Sequence, residues 1–423
     1  MKNLKLITLA LFVPLHFFSQ GLNFSSAEEL SQISEAPSDY GFATDLPAKY
    51  SLEKYVPPVQ RQVGGTCVGF STFYYALSTM YNIEFNIIKE SDKLAHSFDP
   101  YFIYSLSYIN TDNCDAGLNF KPVFTKLNEI GSKKLFFPPF TSCDEKWTEE
   151  KFVNTVSYTQ AYSINQYYKI PIERPNFNEL VKQAITYRLP VVIGLETTDS
   201  MDAYSSSNTS GIGSSGLWTP SANEKGAGGH ALCVVGYDNS MYGGSFRIVN
   251  SWGKKFGDNG YMWITYDDFK KYTVEAYFME LNENVESRPQ FKDGLRTENY
   301  RRYGYETSNG SINTYEGQYL SNSNTGYGIW LDENNDTHYI GEFNDGLRNG
   351  EFRVINTDGI FRAFYRNNVL VDPPSYGFGQ EDDELLKEQL SATKYFDRLG
   401  LEINDIRKSN SSSSNLVKPQ GIE

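Results

Sequence analysis

The chain has 423 residues and a formal net charge of −14, from 38 Lys and Arg against 52 Asp and Glu. This length suffices for two or three domains, and the acidic balance without a basic cluster argues against nucleic-acid binding. Only four histidines occur, and none is spaced with a cysteine or a second histidine as metal ligands usually are, so we predict neither a metal site nor another cofactor.

The first 20 residues have the pattern of a secretory signal peptide. Lys2 and Lys5 precede an apolar stretch from Leu6 to Phe18, which is too short to span a bilayer. A cut near Gln20 would remove this stretch. We therefore expect an exported protein that is secreted, periplasmic or held at the cell surface.

Cys67 is the first residue with a chemical signature. It follows Gly64 and Gly65, and apolar residues recur at three- and four-residue spacing as far as Met80. This pattern predicts a helix with a buried face over about 67–80. In the first turn of a helix, free backbone amides and the positive end of the dipole favour a thiolate. Cys67 is therefore a candidate nucleophile.

Two later strands carry candidate partners for this thiol. His230 follows Gly229 at the start of an apolar strand that begins with Ala231, and Asn250 ends a second strand just before Trp252. An asparagine amide can fix the tautomer of an imidazole, and an indole can shield that hydrogen bond from water. The chain thus supplies a nucleophile, a base and an orienting group, in the order Cys, His, Asn.

The three segments together resemble those of the papain-like cysteine peptidases. Cys67-Val-Gly-Phe-Ser is similar to the nucleophile segment of that family, Gly229-His-Ala to its histidine segment, and Asn250-Ser-Trp-Gly to its asparagine segment. Each motif alone is modest, but the three occur in the family's order over residues 46–284.

The resemblance implies an α+β fold in which a helical left subdomain and a β-barrel-like right subdomain flank the active-site cleft. It implies a thiol peptidase for peptide or protein substrates, with Cys67 as nucleophile, His230 as base and acid, and Asn250 as orienting residue. Residues expected to border the substrate are Gly65, Gly117, Gly229, Ala231 and Trp252.

One position departs from the family pattern. The family places a glutamine six residues before the nucleophile, where its amide helps to hold the oxyanion, and here that position is Arg61. Gln60 and Gln62 flank it, so a shift of one residue would restore the amide. We favour Gln62, with the backbone N–H of Cys67 as second donor. Loss of an oxyanion donor costs about 10²–10³ in turnover.

The four cysteines suggest one disulfide. An exported protein can keep disulfides. Cys67 is assigned to catalysis and Cys233 to the core of a strand, which leaves Cys114 and Cys143 as the bridge in the first subdomain.

The segment 21–45 is short and polar. It is too small to fold as the long inhibitory propeptide that many papain-like enzymes carry, although it could still lie across the cleft. We therefore expect an enzyme that needs no large propeptide removal.

After an expected linker, 285–309, the character of the chain changes. Short segments rich in aromatic residues and glycine begin at Tyr315, Tyr339 and Phe361, with spacings of 24 and 22 residues. They resemble MORN repeats and predict a small all-β module of hairpins over 310–372. Two roles stay open for this module: binding of a protein or membrane partner, or packing that stabilises the peptidase.

The remaining residues, 373–423, predict an acidic helix around Leu385 to Leu390 and a Ser-rich tail. For the whole chain two alternatives to a peptidase are open. One is an inactive papain-like shell in which the repeats bind a partner. The other is a different acyl-transfer enzyme, such as a transglutaminase or a cell-wall amidase, which the Asn250-Ser-Trp-Gly segment disfavours.

Overall fold

The computed structural model describes residues 21–36, 45–107, 114–137, 141–159, 162–201, 216–221, 224, 226–281, 294–297, 300–307, 310–320, 323–371, 394–396 and 402–405. The predicted signal peptide, the leucines of the predicted acidic helix and the Ser-rich run lie outside these residues. Within them, no helix is both long and apolar enough to cross a bilayer.

Helices dominate the first part of the chain. The α-helices are Ala27–Ser31, Cys67–Gly69, Ser78–Glu84, Glu90–Ala95, Phe102–Ser107, Phe120–Ile130, Glu149–Thr159, Phe177–Thr186 and Tyr266–Tyr272. Two short 3₁₀ turns, Glu53–Tyr55 and Met241–Gly243, and a π-helix, Phe70–Leu77, accompany these α-helices.

One continuous helical run, here called the central helix, begins at Cys67. It is α-helical over Cys67–Gly69, π-helical over Phe70–Leu77 and α-helical again over Ser78–Glu84. From the sequence we predicted this helix, but with one buried face only. Every residue from 67 to 82 is buried, because the central helix lies between the other helices and a sheet instead of on the surface.

Seven strands of the described residues form the first sheet, in the order β2-β7-β3-β4-β5-β6, with β1 beside β4. All these pairs are antiparallel. The hydrogen-bonded path ends at β2 and at β6, so the expected barrel-like subdomain is an open sheet over the described residues. Its strands are β1 Lys49–Ser51, β2 Ile164–Lys169, β3 Val191–Thr198, β4 Gly226–Asp238, β5 Ser245–Val249, β6 Tyr261–Thr265 and β7 Thr273–Leu281.

A second, all-β sheet of ten strands follows among the described residues, in the order β16-β17-β14-β13-β12-β11-β10-β9-β8, with β15 beside β14. Its pairs are antiparallel except β14 with β17. The strands are β8 Gly294–Thr297, β9 Tyr300–Glu306, β10 Ile312–Gln318, β11 Gly326–Asp332, β12 Thr337–Asn344, β13 Leu347–Asn356, β14 Gly359–Arg366, β15 Val369–Val371, β16 Lys394–Phe396 and β17 Glu402–Asp405.

The second sheet starts earlier than the repeat pattern predicted. Strands β8 and β9 lie in the stretch 285–309 that was expected to be a linker, and β9 pairs with β10 along its whole length. Tyr303 and Tyr305 are spaced as on one face of a strand, but this stretch lacks the repeat spacing on which the prediction depended.

The two faces of the second sheet have different partners. Ile329, Ile340, Ile355 and Ile360 belong to the same apolar core as the central helix and the first sheet. The aromatic residues of the repeat pattern form a separate cluster with Tyr315, Trp330, Tyr339, Phe343, Phe352 and Tyr365 among its members. The sheet is therefore joined to the rest of the molecule through its aliphatic face.

Candidate active site

His230 and Asn250 meet because β4 and β5 are neighbours. Their register pairs Cys233 with Val249, which brings the start of β4 beside the end of β5. The imidazole Nε2 lies 2.8 Å from Asn250 Oδ1. The ring of Trp252 stacks on that of His230, with centroids 4.6 Å apart and planes inclined at 30°. The stacked indole covers one face of the imidazole.

Cys67 reaches the same place from the helical side of the molecule. It is the first residue of the central helix, and the N–H of Ala231 donates to its Sγ at 3.4 Å. The thiol therefore lies beside the residue that follows His230. The structure thus brings together Cys67, His230 and Asn250, which are more than 160 residues apart at their extremes.

Gln62 lies next to this group, whereas Arg61 is exposed and pairs through its backbone with Trp252. The Oε1 atom of Gln62 accepts a hydrogen bond from Ser251 Oγ at 2.6 Å, and its Nε2 donates to Gly64 O at 2.7 Å. An amide nitrogen has two hydrogens, so one donor is left beyond the bond to Gly64. Gln62 is thus held from both ends of its amide, by Ser251 and by Gly64.

A model of the papain family of cysteine proteases matches residues 50–280 of the chain, more than half of its length. The chain belongs to the papain family of cysteine proteases. The expected enzyme class, a cysteine-type peptidase, is thereby confirmed, together with the mixed α+β fold of its first part.

Individual relatives of this papain-family protease are distant. An uncharacterized peptidase C1-like protein of Acanthamoeba polyphaga mimivirus is 32% identical over 88 residues, which cover 21% of this chain and 26% of that relative's length. Xylellain from Xylella fastidiosa is 19% identical, covers 63% of this chain and 97% of its own, and has a TM-score of 0.49. Procathepsin L 3 of Tenebrio molitor larval midgut is 19% identical, with coverages of 63% and 77% and a TM-score of 0.44.

In this papain-family protease the N-terminal segment lies across the cleft. Leu22 N–H donates to Gly229 O at 3.2 Å, and Asn23 N–H donates to Leu118 O at 3.1 Å. The side-chain amide of Asn23 donates to Gly117 O at 2.8 Å. Residues 21–23 thus occupy the backbone edges that were expected to border a substrate.

Glycines make this close approach possible. A Cβ on Gly117 would lie 2.7 Å from Gly21 O, and a Cβ on Gly229 would lie 2.5 Å from Leu22 O. The backbone of Gly65 is in similarly close contact with Gly21. Side chains at Gly117 and Gly229 would therefore displace residues 21 and 22 from their present position.

With the N-terminal segment in place, the Cys67 thiol has no solvent access. Cys67, His230 and Asn250 are all 0% exposed. Burial raises the pKa of Cys67 to about 12, although the backbone amides of Ala231 and Gly21 act against it. Burial also lowers the pKa of His230 to about 4. While the cleft is covered, the pair is a neutral thiol and a neutral imidazole at pH 7.

The remaining cysteines form one disulfide and one free thiol. Cys114 and Cys143 are joined in a disulfide with a Cα–Cα distance of 5.3 Å, and Cys233 is a buried free thiol on β4. The bridge sits close to Gly64, whose added Cβ would meet the backbone of Cys114.

Sequence reasoning missed three contributors to the site. Leu22 bonds through its backbone to Gly229, Ser251 orients Gln62, and the hydroxyl of Tyr75 donates to Asn250 O at 3.0 Å. Ser251 follows Asn250 directly, so its proximity was readable from the chain. Leu22 and Tyr75 gave no local signal, since a leucine in a polar stretch and a tyrosine in a helix are common.

Proposed function

We propose that this protease hydrolyses peptide bonds of peptide or protein substrates through a thioester on Cys67. The observation that carries the proposal is a set of three contacts. His230 is hydrogen-bonded to Asn250, the next residue, Ala231, donates its N–H to Cys67 Sγ, and the ring of Trp252 stacks on His230. An imidazole held in one tautomer, beside a thiol at a helix start, is the chemical equipment for nucleophilic acyl transfer.

In the acylation step, the Cys67 thiol gives its proton to His230 and the sulfur attacks the substrate carbonyl carbon. The oxyanion is held by the Nε2 of Gln62 and the backbone N–H of Cys67. The protonated imidazole then gives its proton to the amine, the C–N bond breaks, and the thioester remains. Asn250 keeps the imidazole oriented throughout.

In the deacylation step, His230 takes a proton from water while the oxygen attacks the thioester carbon. The C–S bond breaks, the sulfur recovers a proton, and the carboxylic acid leaves. Both steps need room for a substrate backbone between Gly117 and Gly229. Residues 21–23 occupy that space in the structure, so they must leave it before a substrate binds.

Labelling of the thiol tests the proposal. The full chain, wild type and Cys67→Ala, is treated with an epoxide-type inhibitor of thiol proteases and mapped by peptide mass spectrometry. We expect modification of Cys67 alone, with a matching loss of peptide hydrolysis. Cys233 is an internal control, because it is equally buried and burial raises its pKa above the ordinary range. A folded, reduced wild-type protein that is neither labelled nor active would favour the inactive-shell alternative.

The proposal extends to the location of the protein and to its second sheet. The predicted signal peptide, residues 1–20, supports export. We propose that the MORN-like segment 310–372 serves chiefly to stabilise the peptidase, in line with the shared apolar core described above. Deletion of residues 310–372 should then abolish folding, whereas intact cleavage of small substrates would indicate a module that recruits a protein or membrane partner.

A further inference from the structure

The hydroxyl of Tyr75 lies between the two stretches of chain that carry the proposed catalytic side chains. It donates to Asn250 O at 3.0 Å and accepts from the backbone N–H of Gln60 at 3.1 Å. The side chain is 1% exposed. Burial raises the pKa of Tyr75 well above its ordinary value, so the hydroxyl keeps the proton that it donates.

The carbonyl oxygen of Asn250 needs this donor because Asn250 lies just beyond the end of β5. The strand stops at Val249, one residue before Asn250. The N–H of Asn250 donates to Gly260 O at 2.9 Å, and the hydroxyl of Tyr75 satisfies its carbonyl oxygen. Asn250 is fully buried, so water cannot replace a lost partner there without a rearrangement.

The same hydroxyl fixes the stretch that carries the oxyanion amide. Gln60 lies two residues before Gln62, and its carbonyl accepts from Gly253 N–H at 3.2 Å. Gln62 N–H donates to Ser251 O at 2.7 Å. Residues 60–62 and 250–253 therefore run beside each other, and Tyr75 bridges them at the level of Asn250.

In the π-helical part of the central helix, the hydroxyls of the successive residues Tyr74 and Tyr75 reach the same stretch of chain. Tyr74 donates to Pro58 O at 2.7 Å, so both hydroxyls reach residues 58–60. A π-helix has more residues per turn than an α-helix, so neighbouring side chains diverge less. Such segments are frequent at functional sites.

We propose that Tyr75 is a positioning residue for catalysis, which holds Asn250 and the Gln62 stretch in register across the cleft. The inference rests on the proposed function, since it assumes that Asn250 orients His230 and that Gln62 binds the oxyanion. Tyr75 touches neither the thiol nor the imidazole in the structure. It acts through the backbone segments that carry the side chains of Asn250 and Gln62.

The test compares Tyr75→Phe with Tyr74→Phe in the full chain. Both are repeated in a Leu22→Asp background, because a buried carboxylate at this position is expected to drive the N-terminal segment out of the cleft. Each change removes one buried hydroxyl from the same helix, but only the first removes the donor to Asn250. Kinetic constants for a peptide substrate are measured at low temperature, per folded molecule, with folding checked by near-ultraviolet circular dichroism.

We expect kcat to fall about tenfold or more for Tyr75→Phe with KM changed less than about twofold, because orientation in the transition state is lost while binding is kept. Tyr74→Phe should keep wild-type constants. The rate of Cys67 alkylation should fall with Tyr75→Phe only.

Equal constants for the two variants would overturn the proposal, as would a Tyr75→Phe protein that fails to fold while Tyr74→Phe folds, since the role would then be purely structural. Absence of hydrolysis by both the wild type and the Leu22→Asp protein would instead count against the proposed function.

Discussion

Two glutamines flank the exposed Arg61, and their surroundings differ. Gln62 has its amide oxygen fixed by Ser251 and one amide hydrogen fixed by Gly64. Gln60 is held through its backbone, by Tyr75 and by Gly253. The side chain of Gln62 is thus preorganised next to Asn250, which is what an oxyanion donor requires.

Replacement of each glutamine tests this difference. We expect Gln62→Ala to lower kcat by about 10²–10³ with little change in KM, because the lost donor acts on the oxyanion and not on the bound substrate. Gln60→Ala is the matched control and should stay close to wild type. Steady-state kinetics on one peptide substrate suffices, and a larger loss for Gln60→Ala would reassign the donor.

At the scale of elements, the N-terminal segment is anchored well beyond the cleft. Its helix, Ala27–Ser31, begins with a capping box between Ser26 and Glu29, and Ile33 is buried in the core. Ser34 O accepts from Lys169 N–H on β2 at 2.9 Å. This anchoring keeps residues 21–23, with Leu22 itself 4% exposed, at a high local concentration beside Gly117 and Gly229.

A charge at position 22 should open the cleft. We expect Leu22→Asp to raise kcat/KM at least about tenfold, because burial of a carboxylate in an apolar site is unfavourable and the segment will leave. Cys67 alkylation at pH 7 should accelerate in parallel, since solvent access lowers the pKa of the thiol from about 12 towards its ordinary value.

Ser31→Asp is the control for the Leu22→Asp variant, since it adds the same charge at an exposed site of the same segment. Equal activity of all three proteins would show that the segment does not limit access, in keeping with the expectation that no large propeptide must be removed. A wild-type chain that is inactive until cut by another protease would contradict that expectation.

At the scale of the whole molecule, a buried group of charges joins the second sheet to the helices. Glu316 on β10 is 0% exposed and accepts hydrogen bonds from Tyr81, Tyr162 and Arg302. Lys134 Nζ lies 3.8 Å from its carboxylate. Burial would raise the pKa of Glu316, but Lys134 and Arg302, with help from His96, outweigh burial and hold it well below the ordinary value.

Removal of this carboxylate should weaken the attachment of the second sheet to the helices. We expect Glu316→Gln to lower the free energy of unfolding by about 3–5 kcal/mol, because Arg302 and Lys134 would keep buried charges without a counter-ion. Glu351→Gln is the matched control: Glu351 also pairs with two arginines on the same sheet but is partly exposed, so its loss should cost about 1 kcal/mol or less. Urea denaturation at pH 7 measures both.

The effect of Glu316→Gln should depend on pH. The pKa of Glu316 is depressed in the folded state, so its stabilisation is present above the ordinary value of 4.5 and is lost as the pH falls through the folded-state pKa. The difference between wild type and variant should therefore shrink below about pH 4.5 and be constant above it. A constant difference at all pH values would mean that Glu316 acts by packing alone.

The sequence by itself determined the family, the enzyme class and the candidates Cys67, His230 and Asn250. Each of these has a local signal, because helix starts, strand starts and glycine turns are set by near neighbours in the chain. The roles of these residues stay predictions until the labelling is done. The glutamine position was ambiguous from sequence, because one shifted residue changes which side chain faces the cleft.

Only the tertiary structure decided which distant groups meet. Tyr75 and Asn250 are 175 residues apart in the chain, and Tyr81 and Glu316 are 235 apart. The pairing of Leu22 with Gly229 likewise joins residues that are far apart in the chain. Periodicity and motif spacing report only the near neighbours of a residue, so these contacts have no signature in the chain.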